Sequence, residues 1–182
     1  MLRGVGPHKP VPVVRLRKVL EALGYTGVAT VLQTGNAVFG SLEKDEAKMV
    51  KRIEAALAGE FGFELPVVVR TREQLAAAIR KNPLPGADDD PSRFLVTFLS
   101  GLPDRKKLAA IDPAAHLPDE FRVIGREIYA RFPNGIARSK LAVKLSSLKL
   151  GVTPTARNWN TVRKLLEPAD RGAQRLGGKP KQ

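Results

Sequence analysis

The stretch VATVLQTGNAVFGS (28–41) decides how this chain is read. Two β-branched runs flank Gln33-Thr34-Gly35-Asn36, and Gly35 and Asn36 tolerate the positive φ that tight hairpin turns require. The stretch is therefore predicted to be a β-hairpin. On its amino-terminal side, VPVVRLRKVLEALGY (11–25) puts Leu16, Val19, Leu20 and Leu23 on one helical face. Pro12 suits the first turn of that helix and Gly24 its stop. On the carboxyl side a second helix is predicted over 43–61, with Met49, Val50, Ile53, Leu57 and Phe61 inward. ELPVVVR (64–70) then reads as a strand, which Pro66 places at an edge.

With Met1-Leu2-Arg3 as a first strand, the order is β-α-β-β-α-β, in which helices cover one face of an antiparallel sheet. The first strand of such a sheet is central, yet only three residues stand ahead of Gly4. The expectation is that the natural start lies several residues upstream, or that this module is weakened. TREQLAAAIRKNP (71–83) opens with a capping box between Thr71 and Gln74 and ends at Asn82-Pro83. NPLPGADDDP (82–91) has turn composition, and its three aspartates are read as a solvated linker rather than a cation site.

Beyond it the rhythm repeats. A strand at 93–99 and a helix at 104–111 precede a hairpin at 121–132 that turns at Gly125. A helix at 139–150, stopped by Gly151, and a faint strand near 152–155 complete the set. The fold class is thus α+β: two tandem ferredoxin-like (α/β plait) modules, each an antiparallel sheet with helices on one face. Residues 1–83 form the first module with its connecting helix, 84–92 the linker and 93–170 the second module. Residues 171–182 are expected to be a basic, disordered tail.

Composition removes several classes of function. No cysteine is present, so disulfides and thiolate chemistry are excluded. The apolar runs, FLVTFL (94–99) among them, are far shorter than the ~20 residues that cross a bilayer as a helix. The plain expectation is a cytoplasmic protein with no membrane partner; no oligomeric state is assigned. The two histidines, His8 and His116, lie in Pro-containing loops with no nucleophile or metal motif beside them. No Walker motif, dinucleotide fingerprint or zinc spacing occurs, so no catalytic residue, metal or cofactor is assigned.

Charge is the unusual bulk property, a formal +13. Residues 128–166 carry eight cations, Arg131, Arg138, Lys140, Lys144, Lys149, Arg157, Arg163 and Lys164, and no acid. A field of one sign attracts a phosphorylated small molecule or nucleic acid. A basic proteome accounts for the same number without a ligand. In PNGIARSKL (133–141), Ser139 is a good helix cap, which sets Arg138 and Lys140 at the positive end of the following helix. In ARNWNTV (156–162), Asn158 caps a helix from 159 to about 166, and Trp159 joins Val162, Leu165 and Leu166 on its apolar face. Trp159 is accordingly a core residue, whereas neither capping nor packing requires Arg157, Asn160 or Thr161.

The same segments resemble a bacterial family named only as domain of unknown function 1697. The likeness rests on LRG (2–4), VPV (11–13), LQTGN (32–36), FGFELPVVVRT (61–71), VTFL (96–99), PNGIARSKL and TARNWNTVRKL (155–165). It implies two α/β plaits and brings no established activity, cofactor or partner. It also implies a site at Arg3, Gly4, Gln33, Gly35, Asn36, Gly135, Arg138, Lys140, Arg157, Asn158 and Asn160. The chain departs from the family at LRGVGPHKPVPV (2–13), which is shorter and lacks the asparagine that follows the family's Arg-Gly.

Three functions fit. The first is a non-catalytic module that binds a phosphate-bearing ligand or nucleic acid through the basic second half. The others are an enzyme with an unfamiliar site near Arg138 and Arg157, and an interaction or structural module with incidental charge. RNA-recognition domains share the plait but stack bases on a defined strand motif that GREIYARF (125–132) does not match.

Overall fold

A computed structural model describes residues 1–177, with side chains to Ala169. The chain forms two compact units, Met1–Ala76 with the segment from Arg163 onward, and Ala77–Val162. This corrects the expected division. Residues 84–92 are not a linker but part of the second unit, and the chain returns to the first unit at its carboxyl end. The expected tail is corrected in part, because 171–177 are helical; 178–182 lie outside the described residues.

In the first unit, α1 (Val13–Ala22) and α2 (Glu46–Phe61) flank the hairpin of β1 (Thr26–Thr30) and β2 (Ala37–Gly40). Asp45 starts α2 by accepting from the Lys48 amide at 3.1 Å, and Gly62, at φ 76°, ends it. Leu16 and Leu20 of α1 meet Ile53 and Leu57 of α2 in one buried cluster. Tyr25 stacks on Phe39 there, ring centroids 4.3 Å apart. The capping box forms as expected: the Gln74 amide donates to Thr71 Oγ1 and the Thr71 amide to Gln74 Oε1, opening α3 (Arg72–Arg80).

The first unit does not carry the four-stranded sheet expected of it. Among the described residues its sheet is two-stranded, β1 with β2. The expected first and last strands shrink to one antiparallel bridge, Leu2 to Val67. The cause is local. Gly4, at φ 78°, turns the chain after three residues. On the other strand Pro66 has no N–H, and the Val67 amide donates instead to Glu54 Oε1 at 2.9 Å.

The second unit runs β3 (Phe94–Leu99), α4 (Arg105–Ala109), β4 (Glu120–Ile124), β5 (Glu127–Arg131), α5 (Lys140–Ser147) and β6 (Pro154–Asn158), then enters α6 (Trp159–Gly177). The strands lie in the order β4-β5-β3-β6 and every pair is antiparallel. β3 is central, and the FLVTFL run has the near-continuous apolar character of a strand buried on both faces. On one face Leu99 and Ile128 pack with Leu108 of α4 and Leu145 of α5, and Ala130 packs with Leu141. On the other face Phe94, Val96, Phe98 and Tyr129 are almost wholly buried. There the Tyr129 hydroxyl donates to the Ala78 carbonyl at 2.9 Å. Burial, with a smaller contribution from Glu127, raises the Tyr129 pKa, so the phenol stays protonated and keeps donating.

Tyr129→Phe should leave the Ala78 carbonyl without this donor and cost about 1–1.5 kcal/mol in urea unfolding. A cost below about 0.3 kcal/mol would mean that this bond does not help to hold the sheet face.

Candidate functional site

The residues implied by the family likeness divide between the two units. In the first, Leu2 N–H donates to the Gly35 carbonyl at 2.8 Å and the Arg3 amide to Pro66 at 2.9 Å, which sets Arg3 and Gly4 beside the 33–36 turn. Asn36 is fully buried and its side-chain amide donates to Thr34 Oγ1. Gln33 is exposed at the tip. Gly35 has φ 74°, and a Cβ there would lie 2.7 Å from Val5 Cγ2 and 2.9 Å from Leu2 Cβ. The Gly35 requirement is thus met by packing and backbone conformation, independent of any ligand.

In the second unit, Gly135 (φ 92°) faces the Arg93 guanidinium, which would stand 2.7 Å from an added Cβ. Arg93 also pairs with Asp90 through Nε at 3.3 Å. Its contact with the PNG turn went unread, because nothing in the spacing of 93 and 135 signals it. The Ser139 hydroxyl accepts from the Ala142 amide at 2.8 Å and starts α5, as expected.

Arg138 and Arg157 do not share a pocket. Arg157 is aligned with Val96 across the β3–β6 pair, and Val96 with Tyr129 across β3–β5, so Arg157 belongs to the Val96 face. Arg138 leads into α5, which packs through Leu141 on the opposite face beside Leu95 and Ala130. Arg157 donates to Thr155 Oγ1 at 2.8 Å and to the Ala156 carbonyl at 2.7 Å. Burial pulls its pKa down to about 10, which leaves it charged at neutral pH.

ARNWNTV is chiefly a helix start. Asn158 Oδ1 accepts from the Thr161 amide at 2.8 Å and from its hydroxyl at 2.7 Å. Thr161, to which the sequence assigns no capping or packing role, is therefore part of the cap. Trp159 is buried and donates through Nε1 to Asp88 Oδ1 at 2.9 Å. One aspartate of the ADDDP run is thereby tied to the core of the second unit. Asn160 is exposed in the first turn of α6.

Exposed cations line the helical layer of the second unit, as they also line α1 and α2 of the first, where Arg15, Arg17, Lys18, Lys48, Lys51 and Arg52 are exposed. α4 meets the carboxyl end of α5, since Leu108, Leu145 and Leu148 share one cluster and Lys107 Nζ donates to the Lys149 carbonyl. Their solvent sides carry Arg105, Lys106 and Lys107, then Lys140 and Lys144, with Arg138 and Lys149 at the ends of α5. Among the described residues only Lys107 of these pairs with a carboxylate, Asp104 at 3.8 Å. A layer of unneutralised like charges sets up a positive field that salt screens.

The architecture is that of an α+β protein built on antiparallel sheets. The chain belongs to the family described as Protein of unknown function (DUF1697), whose model matches residues 1–129. No curated protein matches the sequence. Among solved structures, the conserved bacterial protein SP0830 from Streptococcus pneumoniae is similar over 93% of this chain and 96% of its own, with a TM-score of 0.71 and 19% identity. At that identity the likeness is one of fold.

Gly35→Ala should destabilise the first unit by about 2 kcal/mol or more through left-handed strain and overlap with Val5 and Leu2. Circular-dichroism melting checks this, and an unchanged midpoint would show that the turn relaxes freely.

Proposed function

We propose that the protein is a non-catalytic module that binds a phosphate polymer, RNA or DNA, across the α4–α5 layer of its second unit. The observation that carries this reading is the spread of exposed, largely unpaired cations over two adjacent helices. A compact phosphate pocket calls for converging donors, and Arg138 and Arg157 stand on opposite faces of the sheet. An extended anion needs only a field that tracks its backbone, with side chains free to reach successive phosphates. The same separation argues against an enzyme near Arg138 and Arg157, which calls for one shared reacting position.

The finer architectural reading belongs here too. The second unit has the β-α-β-β-α-β order of a ferredoxin-like module. We read the first unit as a plait of the same order whose first and last strands are reduced to the Leu2–Val67 bridge.

Binding of a 20-nucleotide single strand, followed by fluorescence anisotropy, should weaken steeply with salt. Engagement of about five phosphates gives a log–log slope near −3.5. Lys140→Glu combined with Lys144→Glu should lower affinity at least about tenfold and flatten the slope by about 1.4. Arg157→Met should leave both unchanged. Salt-independent binding, or equal affinity for the double variant, would remove the proposal.

A further inference from the structure

The six aromatic side chains of the second unit are all committed to its interior. Phe94, Phe98, Tyr129, Phe132 and Trp159 are buried, and Phe121 packs into the clusters that seat α4 and α5. The solvent side of α5 carries a stripe of another kind. Lys140, Val143, Lys144 and Ser147 are exposed at i, i+3, i+4 and i+7, turned away from the Leu141 and Leu145 that hold the helix to the sheet. The two lysines stand about one turn apart, roughly 6 Å along the axis. The bond from Lys107 to the Lys149 carbonyl fixes where the cations of α4 lie relative to this stripe.

We propose that the phosphate polymer taken by this layer is a double helix rather than a single strand, which rests on the layer being the binding surface of the protein. A flexible strand presents base faces that gain from stacking on aromatic side chains, and the second unit has spent its aromatics on packing. Holding such a strand by its phosphates alone also costs the entropy of ordering it. In a double helix the bases are already stacked on one another. The phosphates there stand outward on a stiff frame, at one charge per ~1.7 Å of axis. Cations standing off two helices meet that frame directly. Contacts to phosphate carry no sequence information, so preference should follow the form of the polymer and not its base order.

The test uses the full chain and fluorescence anisotropy, with DNA and RNA each offered as a 20-nucleotide strand and as its duplex, compared at equal phosphate concentration. An abasic DNA strand of the same length is the control for stacking. At least one duplex should bind about tenfold or more tighter than its own strand, and the two duplexes tell which sugar the surface takes. For about five phosphates its log–log salt slope should be near −4.5, against −3.5 for the strand. The abasic strand should match the intact DNA strand within about threefold. Lys140→Glu combined with Lys144→Glu should weaken duplex binding at least about tenfold. A preference below tenfold for both duplexes, or an abasic strand more than about threefold weaker than the intact one, overturns the double-helix assignment and leaves the proposed function standing. Duplex binding that the double variant leaves unchanged, or no salt-dependent binding of any probe, overturns both.

Discussion

A strand inside a sheet has two demands to meet at once: partners for its N–H and C=O groups on both edges, and apolar cover on both faces. β3 meets both. It is paired with β5 and β6 along its length, and Phe98 and Leu99, which point to opposite faces, are fully buried. Everything else in the second unit follows from this strand. α4 and α5 must lie on the Leu99 face to cover it, so their polar sides turn outward together. The charged layer is thus a by-product of where the apolar residues of two short helices have to go.

The first unit has the same kind of demand and meets it differently. Met1–Arg3 is bonded on both edges over three residues, beside an apolar lining drawn from α1 and α2. Helix packing between α1 and α2 and the Tyr25–Phe39 stack hold the unit without a complete sheet. Cohesion here rests more on side chains than on ladder bonds. The two units, similar in the order of their elements, divide the work of stabilisation in different proportions.

Much of the fold was legible because its signals are local. The Thr71–Gln74 capping box, the Ser139 and Asn158 caps and the Leu stripes each act within a few residues and appear where the sequence placed them; the 28–41 hairpin forms as well, with positive φ at Leu32 and Gly35 rather than at Asn36. The failures are of longer range. ADDDP looked like a linker because its turn composition is real, but composition is silent on the bond from Trp159 to Asp88. The helix expected to end near 166 runs on through Pro168 to Gly177. The implied site was legible as a set of residues and not as a place. Whether Arg138 and Arg157 converge depends on which face of β6 Arg157 occupies, and strand register is set by tertiary pairing.

The division of the chain bears on the order in which it is made. The second unit is one uninterrupted stretch, whereas the first draws on both ends of the described sequence. A ribosome delivering the chain from its amino end therefore supplies all of Ala77–Val162 before the last piece of the first unit, the segment from Arg163, emerges. The older half of the polypeptide is thus the last to have all of its residues at hand.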